Sequence, residues 1–406
     1  MLTIISPFHA KAKLWIVGRK NTLKNVDSFR RSNPGKLIWF HCASLGEFEQ
    51  GRPIMEAIRI QYPGILLAIT FFSPSGYEFR KNDRIADWIG YLPNDTKETS
   101  FLFIEALKPT AAVFVKYEYW PNYFRTLKKN DIPLFIVSAI LRPDQRFFGF
   151  FKGFWQPLLF AVNHFFVQNE ETQNLLNNLG LQNVTLAGDN RLDRVIEIAH
   201  NAKEICDIKI ATANSIAIVA GSTWADDEIL LIRWIENQKQ QNPNHSIKLI
   251  IVPHETHKQH IDNIMQRAEN SVLWSDRATK DLRLYPLIII DTVGMLSSLY
   301  QYASIAYVGG GFGKGIHNTL EAAVWSKPLL FGPNIQKFEE AKNMVKLGGA
   351  ILIHTYEELE KALFELMNDH AYLEKCSKLN GDYVKSGVGA TNKVMQHLEK
   401  VGLFKN

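Results

Sequence analysis

A carboxylate set between a glycine and the start of a helix is a group that can take a proton, and the stretch HCASLGEFEQGRP offers one in Glu47. It follows the apolar run LIWFH, so it belongs at the carboxyl end of a buried strand. There the positive end of a helix keeps a carboxylate ionised, as a general base must be before it acts. The same position also suits an acid that only stabilises the helix, the role given to Glu49 two residues on. Glu118, in KYEYWPN, likewise follows an apolar run, beside Trp120 and Pro121. Lys116, Arg142 and Arg146 add positive charge near such run ends, which suits an acidic substrate as well as it suits solvated surface.

The second half carries different chemistry. In AYVGGGFGKGIHNTLEAAVWSKPLLFGP a glycine-rich loop follows a strand, and His317 and Asn318 open a helix whose apolar face is Leu320, Ala323 and Val324. Asn318 is a natural N-cap, glycines let free amides approach a phosphate at the positive helix end, and Glu321 could accept from ribose hydroxyls. Two further turns follow apolar runs: Gly221, Ser222 and Thr223 in AGSTWADDE, and Val293, Gly294 and Met295 in DTVGMLSSLY. In VPHETHKQH, His254, His257 and His260 step by three, without the fourth-residue spacing of zinc-binding helices and without a carboxylate partner. His254, directly after a strand, is therefore read as a nucleotide contact, and no metal site is expected.

The elements that must hold these residues follow from length and pattern. At 406 residues the chain exceeds one ordinary core, since a domain takes roughly 100 to 200 residues. LIWFHCAS, GILLAITFFS, AAVFVKYEYW, PLFIVSAIL and HFFVQNEE read as buried parallel strands, each followed by a loop and a helical pattern. EFEQGRPIMEAIRIQYP is helical, with Ile54, Ile58 and their neighbours Met55 and Ala57 recurring at helical spacing and Pro53 suited to a first turn. The sequence predicts a doubly wound α/β domain over residues 1–200 and a second over 201–385, where SIAIVAGST, IKLIIVPHE, PLIIIDTVG, ASIAYVGGG and KPLLFGP restart the rhythm. GDNRLDRVIEIAHNAKEICD carries the junction, with the boundary near Asn201, and residues 386–406 end in one helix. The aromatic stretch QRFFGFFKGFWQPLLFAVNHFFVQ reads as a buried helix, with a lipid-facing surface as the alternative.

Composition narrows the class. Cys42, Cys206 and Cys376 fit neither a disulfide framework nor paired zinc ligands, which agrees with a reducing cytoplasm. No run is long and apolar enough to span a bilayer, and the start lacks a secretory pattern. Lys11, Lys13, Arg19, Lys20, Lys24, Arg30, Arg31 and Lys36 face one acid, Asp27, around Leu14, Trp15, Ile16 and Val17. That arrangement suits an anionic membrane surface or a solvated arm. No nucleic-acid reader module is present, and no G-x-G-x-x-G follows the first strand, which speaks against a dinucleotide-dependent oxidoreductase.

In their order, HCASLGEFEQGRP, YLPNDT, AGSTWADDE, DTVGMLSSLY and GIHNTLEAA followed by KPLLFGP resemble the Kdo transferases, which move 3-deoxy-D-manno-octulosonic acid (Kdo) from CMP-Kdo to a lipid A precursor. The resemblance runs over nearly the whole chain. It implies a GT-B fold, two Rossmann-like domains facing across a cleft, the last helix packing back on the first domain, and an inverting, metal-independent reaction without a cofactor. Glu47 falls on the family's catalytic base, with Glu118 as the second catalytic carboxylate. Ser44, Gly46, Arg52, Lys116 and Arg142 are expected at the acceptor. Ser222, Thr223, Pro253, His254, Val293, Gly294, Met295, Gly313, Lys314, Gly315, His317, Asn318, Thr319, Leu320 and Glu321 are expected at the donor, with Lys314 or Arg142 on its carboxylate. The expected place is the cytoplasmic face of the bacterial inner membrane, held peripherally. The chain departs from the family at Lys116, where a first glutamate is common, at Pro253, which His254 follows directly, and at Met295, where a glutamate is common. Another GT-B enzyme acting on a UDP-sugar, and a non-catalytic membrane-surface binder, are the alternatives.

Overall fold

The computed structural model describes residues 10–150, 152–241, 246–313 and 315–405, with side chains from Leu14 onward. The chain divides into two compact units, one of Met1–Arg194 with Gly387–Asn406 and one of Val195–Ser386. The division falls inside the helix Asn190–His200, so much of the polar stretch read as a junction is helical.

The first unit is built on a parallel sheet of β1 (Leu37–Cys42), β2 (Leu66–Phe71), β3 (Trp88–Tyr91), β4 (Ala111–Val115), β5 (Leu134–Ala139), β6 (His164–Val167) and β7 (Val184–Leu186). Their order is β3-β2-β1-β4-β5-β6-β7. Every residue of β1, β4 and β5 is buried, as continuous apolar runs require when both faces of a sheet are covered. Along β1 the side chains alternate between two cores. Leu37 and Trp39 pack with Phe103, Tyr123 and Phe124 on one face. Ile38, Phe40 and Cys42 pack with Ile54, Met55 and Ile58 on the other. Val394, Met395 and Leu398 of the final helix Ala390–Lys400 join that second core, beside the helix Leu45–Gln61.

The helix Leu45–Gln61 starts earlier than expected. Pro53 lies in its interior rather than in its first turn, and its missing N–H leaves the carbonyl one turn back without a helical donor. The N-cap is Ser44, whose spacing to Glu47 is the S-x-x-E signature of a helix start. The aromatic stretch folds as a helix over Lys152–Leu159; Leu158 and Leu159 are buried, but Phe150, Phe154 and Phe160 are exposed.

The second unit repeats the plan with β8 (Ile216–Thr223), β9 (Ile247–Pro253), β10 (Ser271–Leu273), β11 (Leu287–Ile289), β12 (Ile305–Val308), β13 (Leu329–Phe331) and β14 (Ala350–Leu352), ordered β10-β11-β9-β8-β12-β13-β14. In each sheet the strand order reverses beside the unit's first strand, between β1 and β4 and between β8 and β12. In open α/β sheets such a reversal leaves a crevice outside the carboxyl ends of the two strands, where ligands bind. No described helix is long and apolar enough to cross a membrane.

Candidate active site

At the first reversal, Ser44–Glu47 follows β1 and Lys116–Glu118 follows β4, so topology alone brings the two expected catalytic carboxylates to one crevice. Their shared surroundings register on Cys42, whose buried thiol is pushed well up, first by desolvation and then by the charges of Glu47, Glu118 and Glu49. Ser44 makes no side-chain cap bond to the helix backbone; its hydroxyl bonds instead to Oε2 of Glu47. A glutamate that only closed a capping box would leave that hydroxyl on a backbone amide. Gly46 leaves open room, since an added Cβ there would meet only Ser44 Oγ at 3.7 Å.

Glu118 is held more firmly. Trp120 Nε1 donates to its Oε2 at 2.8 Å, and His41 Nε2 lies 3.3 Å from the same oxygen. Lys116, just before, has a left-handed backbone with φ 67°, a conformation that costs a non-glycine residue about 1 to 3 kcal/mol and recurs at functional sites. Its ammonium acts on Asp189. Burial raises that carboxyl, but the charge and hydrogen bonds of Arg191, with Lys116 behind them, bring it below the usual carboxylate range.

The expected acceptor residues are not equivalent. Arg52 bonds to Glu56 at 2.8 Å and Asp83 at 3.3 Å, within a network that continues to Arg194 and Arg80, so its guanidinium is engaged inside the unit. Arg142 is exposed and lies 3.9 Å from the exposed Asp144, a loose pairing that leaves it open to an anion. The basic N-terminal segment is also divided. Arg19 donates to the carbonyls of Leu92 and Phe72 and lies 3.9 Å from the Trp15 ring centroid, and burial lowers its pKa to about 10. Lys20 and Lys24 stay exposed with Leu14 and Val17; the side chains of Lys11 and Lys13 lie outside the described residues.

In the second unit, Ser222 and Thr223 end β8, Pro253 ends β9, the turn Val293–Met295 follows β11 and the glycine-rich loop follows β12. These four strands are neighbours, so their carboxyl ends line one edge. Backbone meets backbone there. A Cβ on Gly309 would stand 2.4 Å from the Ser222 carbonyl oxygen, and one on Gly311 would stand 2.5 Å from the Gly332 nitrogen. Ser222 itself is left-handed at φ 52°, at the irregularity where β8 leaves its register with β9.

Three rings join the strand ends. His254 stacks on Trp224 at 4.7 Å and on His317 at 4.3 Å, while Trp224 Nε1 donates to His317 Nε2 at 3.1 Å. Burial, and then the nearby His254, lower the His317 pKa to about 4, so the ring is neutral near pH 7 and able to accept from the indole. The three histidines of VPHETHKQH part company: His254 stacks, His257 caps the helix Lys258–Arg267, and His260 bonds to Glu228 at 3.0 Å.

The glycine-rich loop differs from expectation. The amides of Gly309, Gly310, Gly313, Gly315 and His317 are already bonded, to Gly221, Asp227, Gly310, Gly310 and Gly309. The helix after it is a single turn, Leu320–Ala323, capped at Thr319 rather than Asn318. Asn318 accepts from the Leu320 amide at 3.2 Å and donates to Glu321 Oε1 at 3.0 Å, which aims that carboxylate. Val293 is exposed, beside left-handed Gly294, and Met295 Sδ accepts from Thr292 at 3.3 Å. Lys314 lies outside the described residues.

Sequence reasoning missed four residues. His41 and Thr70 sit inside apolar runs, where only their polarity marked them. Trp224 stands within AGSTWADDE itself, directly after Thr223. Asp227, buried, accepts from the amides of Trp224 and Gly310 at 2.9 Å and from Tyr307 Oη at 2.7 Å, tying the end of β8 to the loop after β12.

Comparison with known proteins fits this picture. Residues 18–194 match the family described as 3-Deoxy-D-manno-octulosonic-acid transferase (kdotransferase). A 3-deoxy-D-manno-octulosonic acid transferase of Rickettsia bellii (strain RML369-C) is 29% identical over 364 residues, 87% of this chain and 85% of that protein. Among solved structures, the UDP-GlcNAc 2-epimerase of Neisseria meningitidis superposes with a TM-score of 0.61 at 15% identity, over 90% of this chain and 100% of that one. MurG of Acinetobacter baumannii gives 0.56 at 14% identity, over 90% and 100%. Those likenesses identify the fold as GT-B, with two parallel seven-stranded sheets. Its first unit thus matches the Kdo transferase family, and over most of its length the chain is similar to proteins named as 3-deoxy-D-manno-octulosonic acid transferases.

Proposed function

We propose that the chain transfers Kdo from CMP-Kdo to a lipid A precursor, lipid IVA, with inversion at the anomeric carbon and without a metal or other cofactor. The observation that carries the reading is Glu47, set at the first topological reversal with Ser44 spent on its carboxylate and Glu118 beside the same crevice. Glu47 takes the proton of the acceptor hydroxyl as its oxygen attacks, and CMP leaves in the same displacement. The leaving group carries one phosphate, a charge that positioned backbone and side-chain donors can stabilise. Exposed Arg142 suits the acidic sugar or the acceptor's phosphate.

On the donor side, the ring cluster of Trp224, His254 and His317 suits a flat, partly apolar ligand such as a cytosine or ribose face, and Glu321, aimed by Asn318, suits ribose hydroxyls. Leu14, Val17, Lys20 and Lys24 form an apolar and basic surface suited to peripheral attachment at the anionic inner face of the inner membrane.

The test is turnover of CMP-Kdo with a tetraacylated lipid A precursor in detergent and EDTA. Product mass reads the transfer, and NMR reads the new anomeric configuration. An inverted Kdo linkage formed in EDTA supports the proposal. A retained configuration, a requirement for added metal, or turnover of a UDP-sugar in place of CMP-Kdo contradicts it.

A further inference from the structure

Trp39 and His41 on β1 and Thr70 on β2 form a polar chain inside the first unit, and all three are fully buried. An indole nitrogen can only donate, and Trp39 Nε1 lies 2.8 Å from Thr70 Oγ1. The threonine proton then has two acceptors in reach, His41 Nδ1 at 2.9 Å and the Phe40 carbonyl at 3.5 Å. The first distance is that of a good bond and the second is at its limit. Nδ1 is therefore the bare nitrogen and the ring proton sits on Nε2.

The other end of the ring agrees. Nε2 faces Glu118 Oε2 at 3.3 Å, and Trp120 Nε1 reaches that oxygen at 2.8 Å. With Nε2 protonated, the 3.1 Å approach of Trp120 Nε1 to it is not a bond, and the indole proton goes to the carboxylate. Two donors on one carboxylate oxygen restrict the rotation of the group.

We infer that His41 is a positioning residue for Glu118, donating to it from Nε2 in a tautomer that Trp39 supports through Thr70. The kinetic part rests on the assignment of Glu118 to the reaction proposed above; the tautomer does not. Long-range proton–nitrogen NMR on the full chain with labelled histidine reads the tautomer, the His41 signal being assigned by its loss in His41→Gln. A pyridine-type Nδ1 and a protonated Nε2 whose resonance moves in Glu118→Gln are expected. A protonated Nδ1, or an Nε2 signal indifferent to Glu118→Gln, overturns the inference.

In transfer assays, His41→Phe is expected to lower kcat about tenfold with KM for the lipid acceptor little changed, and His41→Gln, which keeps an N–H near Nε2, to recover most of it. In a Glu118→Gln background the His41→Phe loss is expected to vanish; an equal loss there marks a merely structural histidine and overturns the positioning role. If the native chain transfers no Kdo, the reaction assignment fails while the NMR arm still decides the contact. Should His41→Phe not fold, the native and Glu118→Gln spectra decide alone.

Discussion

The two units share one plan but spend their crevices differently. At the first reversal stand carboxylates, one oriented by a serine hydroxyl and one by an indole and an imidazole. At the second stand rings and close-packed glycine backbone, with the buried carboxylate of Asp227 turned inward to hold the loop. On the proposed reading, groups that exchange protons are gathered on one sheet and groups that recognise a flat, anionic ligand on the other. The shared architecture supplies a place at each switch point, and the side chains there decide what is done.

If that division holds, damage on the two sides has different signatures. The largest effect is expected from Glu47→Ala, with kcat for transfer falling about 10²- to 10⁴-fold, the range of a general base. Next is Gly309→Ala. The added methyl would stand 2.4 Å from the Ser222 carbonyl oxygen, and forced backbone shifts of this kind cost about 1 to 3 kcal/mol. CMP affinity, measured by calorimetry, should fall about ten- to hundredfold with thermal stability lowered; unchanged binding would mean the β8–β12 contact is not part of the donor site. Trp224→Ala removes a stacking partner and the donor to His317, and should weaken CMP about five- to tenfold with kcat at saturating donor little altered.

Acid sharpens the comparison. The His317 pKa, about 4, lies below its ordinary 6.5, so the unfolded chain binds the extra proton first. Its contribution to stability is present above pH 6.5 and is lost as pH falls toward 4. Protonation also removes the Nε2 lone pair that accepts from Trp224. His164, whose ring lies tilted against His397 in the first unit, is lowered to about 4 as well, mainly by burial, and gives that unit a matching loss. Unfolding curves between pH 7 and pH 4 should flatten in part for His317→Gln and in part for His164→Gln. CMP binding should lose pH sensitivity only in the His317 variant.

The smallest effect is expected at Lys116, where glycine should relieve the left-handed backbone and add about 1 kcal/mol of stability by thermal melting.

Much of this was legible in the sequence because continuous apolar runs and the loops after them are local signals. LIWFH, AAVFV and IAIVA lie in β1, β4 and β8; Glu47 sits in the first helical turn after β1 and Glu118 in the loop after β4, while Ser222, expected in a turn, belongs to the end of β8 itself. The helix start at Leu45 was written in Ser44-x-x-Glu47, yet Pro53 drew attention later, since proline favours a first turn but is also tolerated within a kinked helix. What could not be read was pairing across the sheet. His41 and Thr70 acquire meaning only once β1 and β2 lie side by side, with His41 opposite Thr70 in register. The glycine loop differs from its sequence pattern for a similar reason: Asp227 and the loop's own carbonyls take several of the amides that the glycines would leave open to a phosphate.

The most direct test of the division is to titrate CMP into native and Glu47→Ala protein and to follow lipid product mass from CMP-Kdo with the same two samples. Equal CMP affinity within about twofold is expected, together with a gain of Kdo mass by the native chain that Glu47→Ala fails to make. Transfer by Glu47→Ala at the native rate, or CMP binding lost along with transfer, would contradict that division.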